Sequence, residues 1–147
     1  MSQTTDASRT TTGTSPRAAQ LTVVIGAVAA ALALWIVAEP VLGIDLRAPA
    51  SGNVPNSDIG PVMVVLASLV SALLGWGLLA LLQKFTARAR TVWTVIAGVV
   101  LAASLFGPLS GEGITGANRV VLLLMHLVVG AVLIIGLRRT SPGKDHG

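Results

Sequence analysis

The chain has no cysteine and few charged residues. None of its 147 residues is a cysteine, only 11% are charged, and 53% are hydrophobic. Without thiols the protein forms no disulfide, no thiolate nucleophile and no cysteine-ligated zinc or iron–sulfur centre. A water-soluble domain spreads charges through every helix and strand, whereas here they lie in the gaps between apolar blocks. Lipid is therefore the expected solvent of this chain.

The excess of basic residues does not indicate a nucleic-acid binder. The formal net charge is +4, but nucleic-acid binding requires basic residues gathered on one folded face with aromatic or polar partners. The ten Lys and Arg residues are instead short flanks on hydrophobic segments. Membrane insertion produces that distribution. The sequence therefore predicts the lipid bilayer as a partner and no nucleic acid.

Four apolar stretches are predicted to cross a membrane as α-helices, since about 20 residues at ~1.5 Å each span the ~30 Å hydrocarbon layer. The predicted spans are residues 18–38, 61–82, 91–106 and 119–137. They are joined or flanked by outer loops over residues 39–60 and 107–118, a disordered Ser/Thr-rich tail over residues 1–17 and a short tail over residues 139–147. The predicted fold class is an all-α, integral membrane four-helix bundle.

The first span has a competing interpretation as a secretory signal peptide. Its apolar run is too long for one, and Ile36 and Ala38 make a poor cleavage site, so retention as a helix is expected. The orientation follows from the basic residues. With both termini in the cytoplasm, every Lys and Arg except Arg47 and Arg119 lies on the cytoplasmic side, as the positive-inside rule requires.

Six short motifs distributed along the chain carry a resemblance to a known family. The motifs are GIDLR from Gly43, LGWGLLALL from Leu74, RTVWTV from Arg90, SLFGPLS from Ser104, LMHL from Leu124 and GLRRT from Gly136. On these motifs the chain resembles an actinobacterial family of small four-helix integral membrane proteins of unknown function (domain of unknown function 6069). The resemblance implies four-helix topology and a bacterial cell membrane, and it brings no catalytic residues.

Apart from Arg119 at the very start of the fourth span, His126 is the only titratable side chain within the predicted spans. Burying a polar group in lipid is costly, so the ring is expected to face the bundle and to stay neutral. Counting helical rise from the outer face brings Ser68 and Ser104 within its reach, and we expect it to bond one of them or a backbone carbonyl. A role in packing is favoured over a functional one. With no second ligand in the spans, no metal site is predicted.

Two polar residues of the first outer loop are candidates for a minor site. Asp45 and Arg47 lie two residues apart, and they are expected to pair with each other or to stabilise the return of the loop onto the helices. Substrate binding is the less favoured alternative, because exposed ion pairs are common and weak.

Small residues at four-residue spacing predict close helix packing. The pairs are Gly26 with Ala30, Ser68 with Ala72, Ser71 with Gly75 and Gly98 with Ala102. Packing within one bundle is favoured over a dimerisation face. Trp93, near the inner end of the third span, is expected to anchor that helix at the headgroups, and Trp76 is expected to fill a gap at a helix contact.

The favoured function is that of a structural or accessory membrane protein acting through intramembrane helix contacts, with a second copy or another membrane protein as partner. The alternative is a small transporter or channel subunit that uses a polar path around His126. An enzyme is not expected, because no nucleophile–base pair, metal cluster or phosphate-binding loop appears; GEGITG from Gly111 follows a membrane span instead of a strand. No cofactor is predicted, and no small-molecule substrate is indicated.

Overall fold

The computed structural model describes residues 15–141, and four long apolar helices dominate it. In chain order the elements are α1 (Pro16–Ile36), which continues as a π-helical segment (Val37–Val41), β1 (Arg47–Ala48), β2 (Ser57–Asp58), α2 (Pro61–Phe85), α3 (Ala89–Ser104), α4 (Phe106–Ser110) and α5 (Gly116–Thr140). Four segments are long and apolar enough to cross a membrane: Pro16–Val41, Pro61–Phe85, Ala89–Ser110 and Gly116–Thr140. The predicted all-α, four-span fold class is confirmed. Residues 1–14 and 142–147 of the two predicted tails lie outside the described residues.

The helices α1 and α5 begin before the predicted apolar stretches because their first turns are capped in the polar flanks. The Ser15 hydroxyl accepts a hydrogen bond from the Ala18 amide at 3.3 Å and starts α1, with Pro16 in its first turn. The Thr115 hydroxyl accepts from the Asn118 amide at 3.2 Å and starts α5. Basic residues in the last turns of α2 and α5 lie at the negative ends of the helix dipoles.

Pro40 lies within the first span and does not interrupt it. The chain passes through it in the π-helical segment, where the wider turn accommodates a residue that has no amide hydrogen. The amide of Leu42 donates to the Val37 carbonyl at 3.0 Å, and that of Ile44 donates to the Ala38 carbonyl at 2.9 Å. Gly43, with a φ of +67°, then turns the chain into the first connecting loop.

The four spans form a ring in which α1 packs against α2 and α5, and α3 packs against the other sides of the same two helices. We call the end of the bundle with the β1–β2 connection the loop end, and the opposite end the terminal end. The largest core cluster contains Val24, Ala27, Ala72, Leu79, Trp93, Leu133 and Leu137. It joins all four helices in the half of the bundle nearer the terminal end.

The sequence suggested that Trp93 anchors α3 at the membrane surface, but the structure shows that it does not. Its side chain is only 2% exposed, and its indole Nε1 donates to the Gly75 carbonyl at 2.8 Å. The reason is the short connection after Phe85, which folds α3 back so that Trp93 lies against α2. The indole therefore closes the contact between these two helices.

Two of the four predicted small-residue pairs have opposite environments. Ser68 and Ala72 are buried within the bundle, as close packing requires. Gly98 and Ala102 are exposed, and a Cβ built on Gly98 would meet no atom within 4 Å. The expectation that Gly98 faces another helix of the same chain is therefore wrong.

The loop end is held together by contacts between the two connecting loops. A two-residue antiparallel ladder, which the sequence did not predict, pairs Arg47 with Asp58 and Ala48 with Ser57. The Ala50 amide donates to the Glu112 carbonyl at 3.1 Å, which ties the first loop to the second. These bonds fix the loops over the ends of α2 and α5.

Candidate functional site

A groove of about 680 Å³ runs along the bundle between α2 and α3, with α5 as its floor. We call it the lateral groove. On the α2 side its rim includes the exposed residues Ala67 and Ser71. Ser71 lies ten residues into α2, about 15 Å along a helix that must cross ~30 Å of hydrocarbon. The groove therefore opens sideways at membrane depth.

The two ends of the lateral groove differ in character. Towards the terminal end it is closed by Trp93, Gly75 and Leu78, where α2 and α3 meet. Towards the loop end it is bordered by Ser57 and Asp58 of β2. Its walls between these ends consist mostly of aliphatic side chains. The site is consequently an apolar cleft with one closed end and one polar mouth.

The three polar residues predicted from the spans all line the lateral groove. Ser68 comes from α2, Ser104 from the end of α3 and His126 from the middle of α5. Counting helical rise had placed them at matching depths, and the fold brings them to one cavity.

The ring of His126 hydrogen-bonds a backbone carbonyl within its own helix. Its Nδ1 lies 2.7 Å from the Leu122 oxygen, one turn earlier in α5. Neither serine is its partner, because Ser68 Oγ donates to the Val64 carbonyl at 2.7 Å and Ser104 Oγ donates to the Leu101 carbonyl at 2.7 Å. A fourth groove residue, Ser71, repeats this pattern towards Ala67 at 2.7 Å. Each of the four side chains therefore uses its hydrogen-bond donor within its own helix.

The direction of the His126 bond fixes the chemistry of the other ring nitrogen. A carbonyl oxygen only accepts, so Nδ1 carries the hydrogen, and in a neutral imidazole Nε2 is then an acceptor. Within residues 15–141 no hydrogen bond occupies Nε2. The groove therefore presents acceptor lone pairs from one imidazole and three hydroxyls, and none of these groups offers it a donor.

Arg47 lies between two carboxylates in the first connecting loop. Its Nε is 2.9 Å from Asp45 Oδ2, and its Nη2 is 3.3 Å from Asp58 Oδ1. The hydrogen bond that Arg47 donates to Asp45 and the charges of both aspartates raise the pKa of Arg47 above its ordinary value. The guanidinium stays charged and joins β1 to β2. Asp45 and Arg47 do not line the His126 cavity themselves, although Arg47 pairs with Asp58 at its mouth.

Two buried amide side chains are not among the candidate residues predicted from the sequence. Gln20 in α1 is only 6% exposed; its Oε1 accepts from Trp76 Nε1 at 2.8 Å and its Nε2 donates to Ser141 Oγ at 3.3 Å. Asn118 is 1% exposed, and its Nδ2 donates to the Arg47 carbonyl at 3.0 Å. Each is an uncharged polar residue inside an apolar helix, and burying such a residue is costly unless it is hydrogen-bonded. This pattern could have identified both residues in the sequence.

The face of α3 opposite the groove has no partner among the described residues. We define the outer face of α3 as Val95, Gly98, Val99 and Ala102. Val95 is 62% exposed and Val99 is 64% exposed. Since groove residues such as Ala97 and Val100 lie on the other side of the same helix, α3 has two separate apolar surfaces.

Four spanning helices around a lateral cleft define a multi-pass membrane protein in a lipid bilayer. The chain belongs to a family of unknown function (DUF6069), whose sequence model matches residues 11–143. This agrees with the motifs of the spans and loops. No curated protein and no solved structure matches the chain.

Proposed function

We propose that the chain is a structural or accessory protein of the cell membrane that acts by contacting another transmembrane helix. The observation that carries the proposal is the outer face of α3. Gly98 and Ala102, four residues apart, form a shallow surface beside Val95 and Val99 at membrane depth. Association of helices in lipid depends on such small residues, because they let two backbones approach closely. The partner is a second copy of the chain or another membrane protein.

The rest of the bundle agrees with a role in contact and not in chemistry. The core cluster holds the terminal half of α3 firmly against α2 and α5 through Trp93 and its neighbours. The outer face is thereby presented on a fixed helix, so association needs little reordering. We place the termini in the cytoplasm on the count of basic residues, and we propose no enzymatic step.

Single cysteines test the proposal cleanly because the chain contains none of its own. In native membranes, a Val99→Cys variant carrying a photoactivated crosslinker should give a covalent product with another protein chain. Val70→Cys is the matched control, because Val70 is also exposed and lies at similar depth on α2. Absence of a protein product at Val99, or equal products at both sites, would overturn the proposal.

A glycine substitution then tests whether close approach is the cause. Gly98→Leu should abolish the Val99 crosslink, since a large side chain separates the two backbones. Gly77→Leu is the matched control: Gly77 is exposed on α2 and a Cβ there would also meet no atom within 4 Å. That control should leave the product unchanged.

The alternative function is that of a small transporter or channel subunit, and one observation favours it. The lateral groove gathers His126, Ser68 and Ser104 in one cavity. A conducting path, however, needs access from both faces, and Trp93 closes the groove towards the terminal end. Proton flux into liposomes that contain the purified chain tests this function. Flux that disappears in His126→Leu would favour the transporter over the accessory role.

A further inference from the structure

We infer that the lateral groove binds an apolar molecule of the membrane whose polar group is a single hydrogen-bond donor, such as a long-chain alcohol or a phenol. This site lies on the opposite side of α3 from the proposed helix contact and does not depend on it. The inference rests on the volume of the groove, its opening and the polarity of its hydrogen-bonding groups.

The volume selects a small molecule over a helix. The groove holds about 680 Å³, within the ~300–1,000 Å³ usual for ligand pockets. A helix that crosses the membrane, ~10 Å wide and ~30 Å long, occupies roughly 2,000 Å³ or more. The groove therefore fits one lipid-sized chain and cannot enclose a transmembrane segment.

The opening determines where the ligand comes from. The rim residues Ala67 and Ser71 are exposed and lie near the middle of α2, a helix long and apolar enough to cross the membrane. A molecule dissolved in the bilayer reaches the groove by lateral diffusion, without crossing a headgroup layer. The occupant is consequently a membrane-soluble compound.

The hydrogen-bonding groups determine which polar atom the ligand carries. Ser68, Ser71 and Ser104 each donate to a carbonyl of their own helix, and His126 donates from Nδ1. At the depth of His126, what remains for a ligand is acceptors, with His126 Nε2 as the strongest; the hydroxyl of Ser57 lies at the mouth of the groove. A hydroxyl satisfies that acceptor, whereas an ether, ketone or ester oxygen places a second acceptor against it.

Charge excludes two other classes of ligand. At the depth of His126, a carboxylate or phosphate would bring a negative charge next to acceptors, where charge is costly. The acid that borders the groove, Asp58, lies at the mouth and pairs with Arg47 at 3.3 Å. The ligand that matches the groove is therefore a neutral molecule with a hydrogen-bond donor.

The test compares two families of probes on the full chain in detergent micelles. The two families are straight-chain alcohols with a terminal bromine and the methyl ethers of the same alcohols. In the alcohols the oxygen carries a hydrogen that it can donate, and in the ethers a methyl group replaces that hydrogen. Bromine quenches the fluorescence of a tryptophan that it touches, and of the three tryptophans in the chain Trp93 lines the groove. The alcohols should quench at about tenfold lower concentration than the ethers. This ratio corresponds to a difference in binding free energy of ~1.4 kcal/mol.

Three variants separate this site from general partition into the micelle. Ala67→Phe fills the groove and should abolish saturable quenching by both probes, whereas Ala80→Phe, at an exposed α2 position outside the groove, should change nothing. His126→Leu should remove the preference for the alcohol and leave the ether unaffected. If His126→Leu does not fold, the alcohol–ether comparison on the native chain decides alone.

Several results would overturn the inference. If the alcohol and the ether quench the native chain at equal concentration, the groove does not select for a hydrogen-bond donor. Quenching that survives in Ala67→Phe would place the probes elsewhere, and a native dimer that Ala67→Phe dissociates would show that a second copy fills the groove. None of these results changes the crosslink expected at Val99, so the helix-contact proposal stands or falls separately.

Discussion

Val23 of α1 lies directly against Gly136 of α5, so that a Cβ built on the glycine would come within 2.5 Å of the valine Cγ1 and 2.7 Å of its Cγ2. A valine side chain is stiff at χ1 and cannot swing aside without moving its helix. We therefore predict that Gly136→Ala lowers the free energy of unfolding in detergent by about 1–3 kcal/mol. Denaturant unfolding followed by circular dichroism measures this loss.

Two other glycines provide the ranking that checks this explanation. A Cβ on Gly130 would meet the methyl ends of Leu101 at 2.7 Å, and because these ends can move, Gly130→Ala should cost less. A Cβ on Gly77 would meet nothing within 4 Å, so Gly77→Ala should be neutral or stabilising by up to ~1 kcal/mol through helix propensity. Any other order of the three variants would contradict the packing described.

These glycines also show how far the sequence could predict the bundle. The four spans were predictable, because the thickness of the bilayer sets the length of an apolar helix. The packing faces were not, since a helix that is apolar all round has no stripe to indicate which side meets a neighbour. Gly98 and Gly136 look alike in sequence, yet one is open and the other is in close contact.

The hydrogen bond between Gln20 and Trp76 links α1 to α2 at 2.8 Å. We predict that Gln20→Leu lowers the free energy of unfolding by about 1 kcal/mol, because the indole N–H of Trp76 is left without its acceptor. Trp76→Phe should cost a similar amount, and the double variant should cost less than the two added together. Strict additivity would show that the bond contributes nothing.

A control for this double-variant comparison lies two residues further along the same helix. The Thr22 hydroxyl bonds only the Ala18 carbonyl of α1, at 3.0 Å. Thr22→Val should therefore leave the stability within experimental error and should show no coupling to Trp76→Phe.

Asn118 attaches the first connecting loop to α5 through the backbone carbonyl of Arg47, at 3.0 Å. In Asn118→Asp the side chain presents acceptors to that carbonyl, so we predict faster proteolytic cleavage between residues 47 and 58 and a lower melting temperature. Arg47→Gln is the informative comparison. It removes two exposed ion pairs but keeps the carbonyl, and should have the smaller effect on both measurements.

Sequence reasoning could place His126, Ser68 and Ser104 near one another and included a backbone carbonyl among the partners of His126, but it could not predict the bonds of the two serines. Helical rise put His126, Ser68 and Ser104 at matching depths, and one cavity contains them. Their hydrogen bonds depend on local geometry, because each side chain reaches a carbonyl of its own helix before it reaches another helix. The burial of Trp93 likewise depends on how the short α2–α3 connection folds, which hydropathy does not record.

We propose that the four spans place the loop end outside the cell, and labelling of single cysteines tests this arrangement most directly. Asn53, Glu112 and Arg88 are exposed positions in three different connections. In intact cells a membrane-impermeant maleimide should label Asn53→Cys and Glu112→Cys, and should label Arg88→Cys only after the membrane is permeabilised. Labelling of Arg88→Cys in intact cells, or of Asn53→Cys and Glu112→Cys from opposite sides of the membrane, would contradict it.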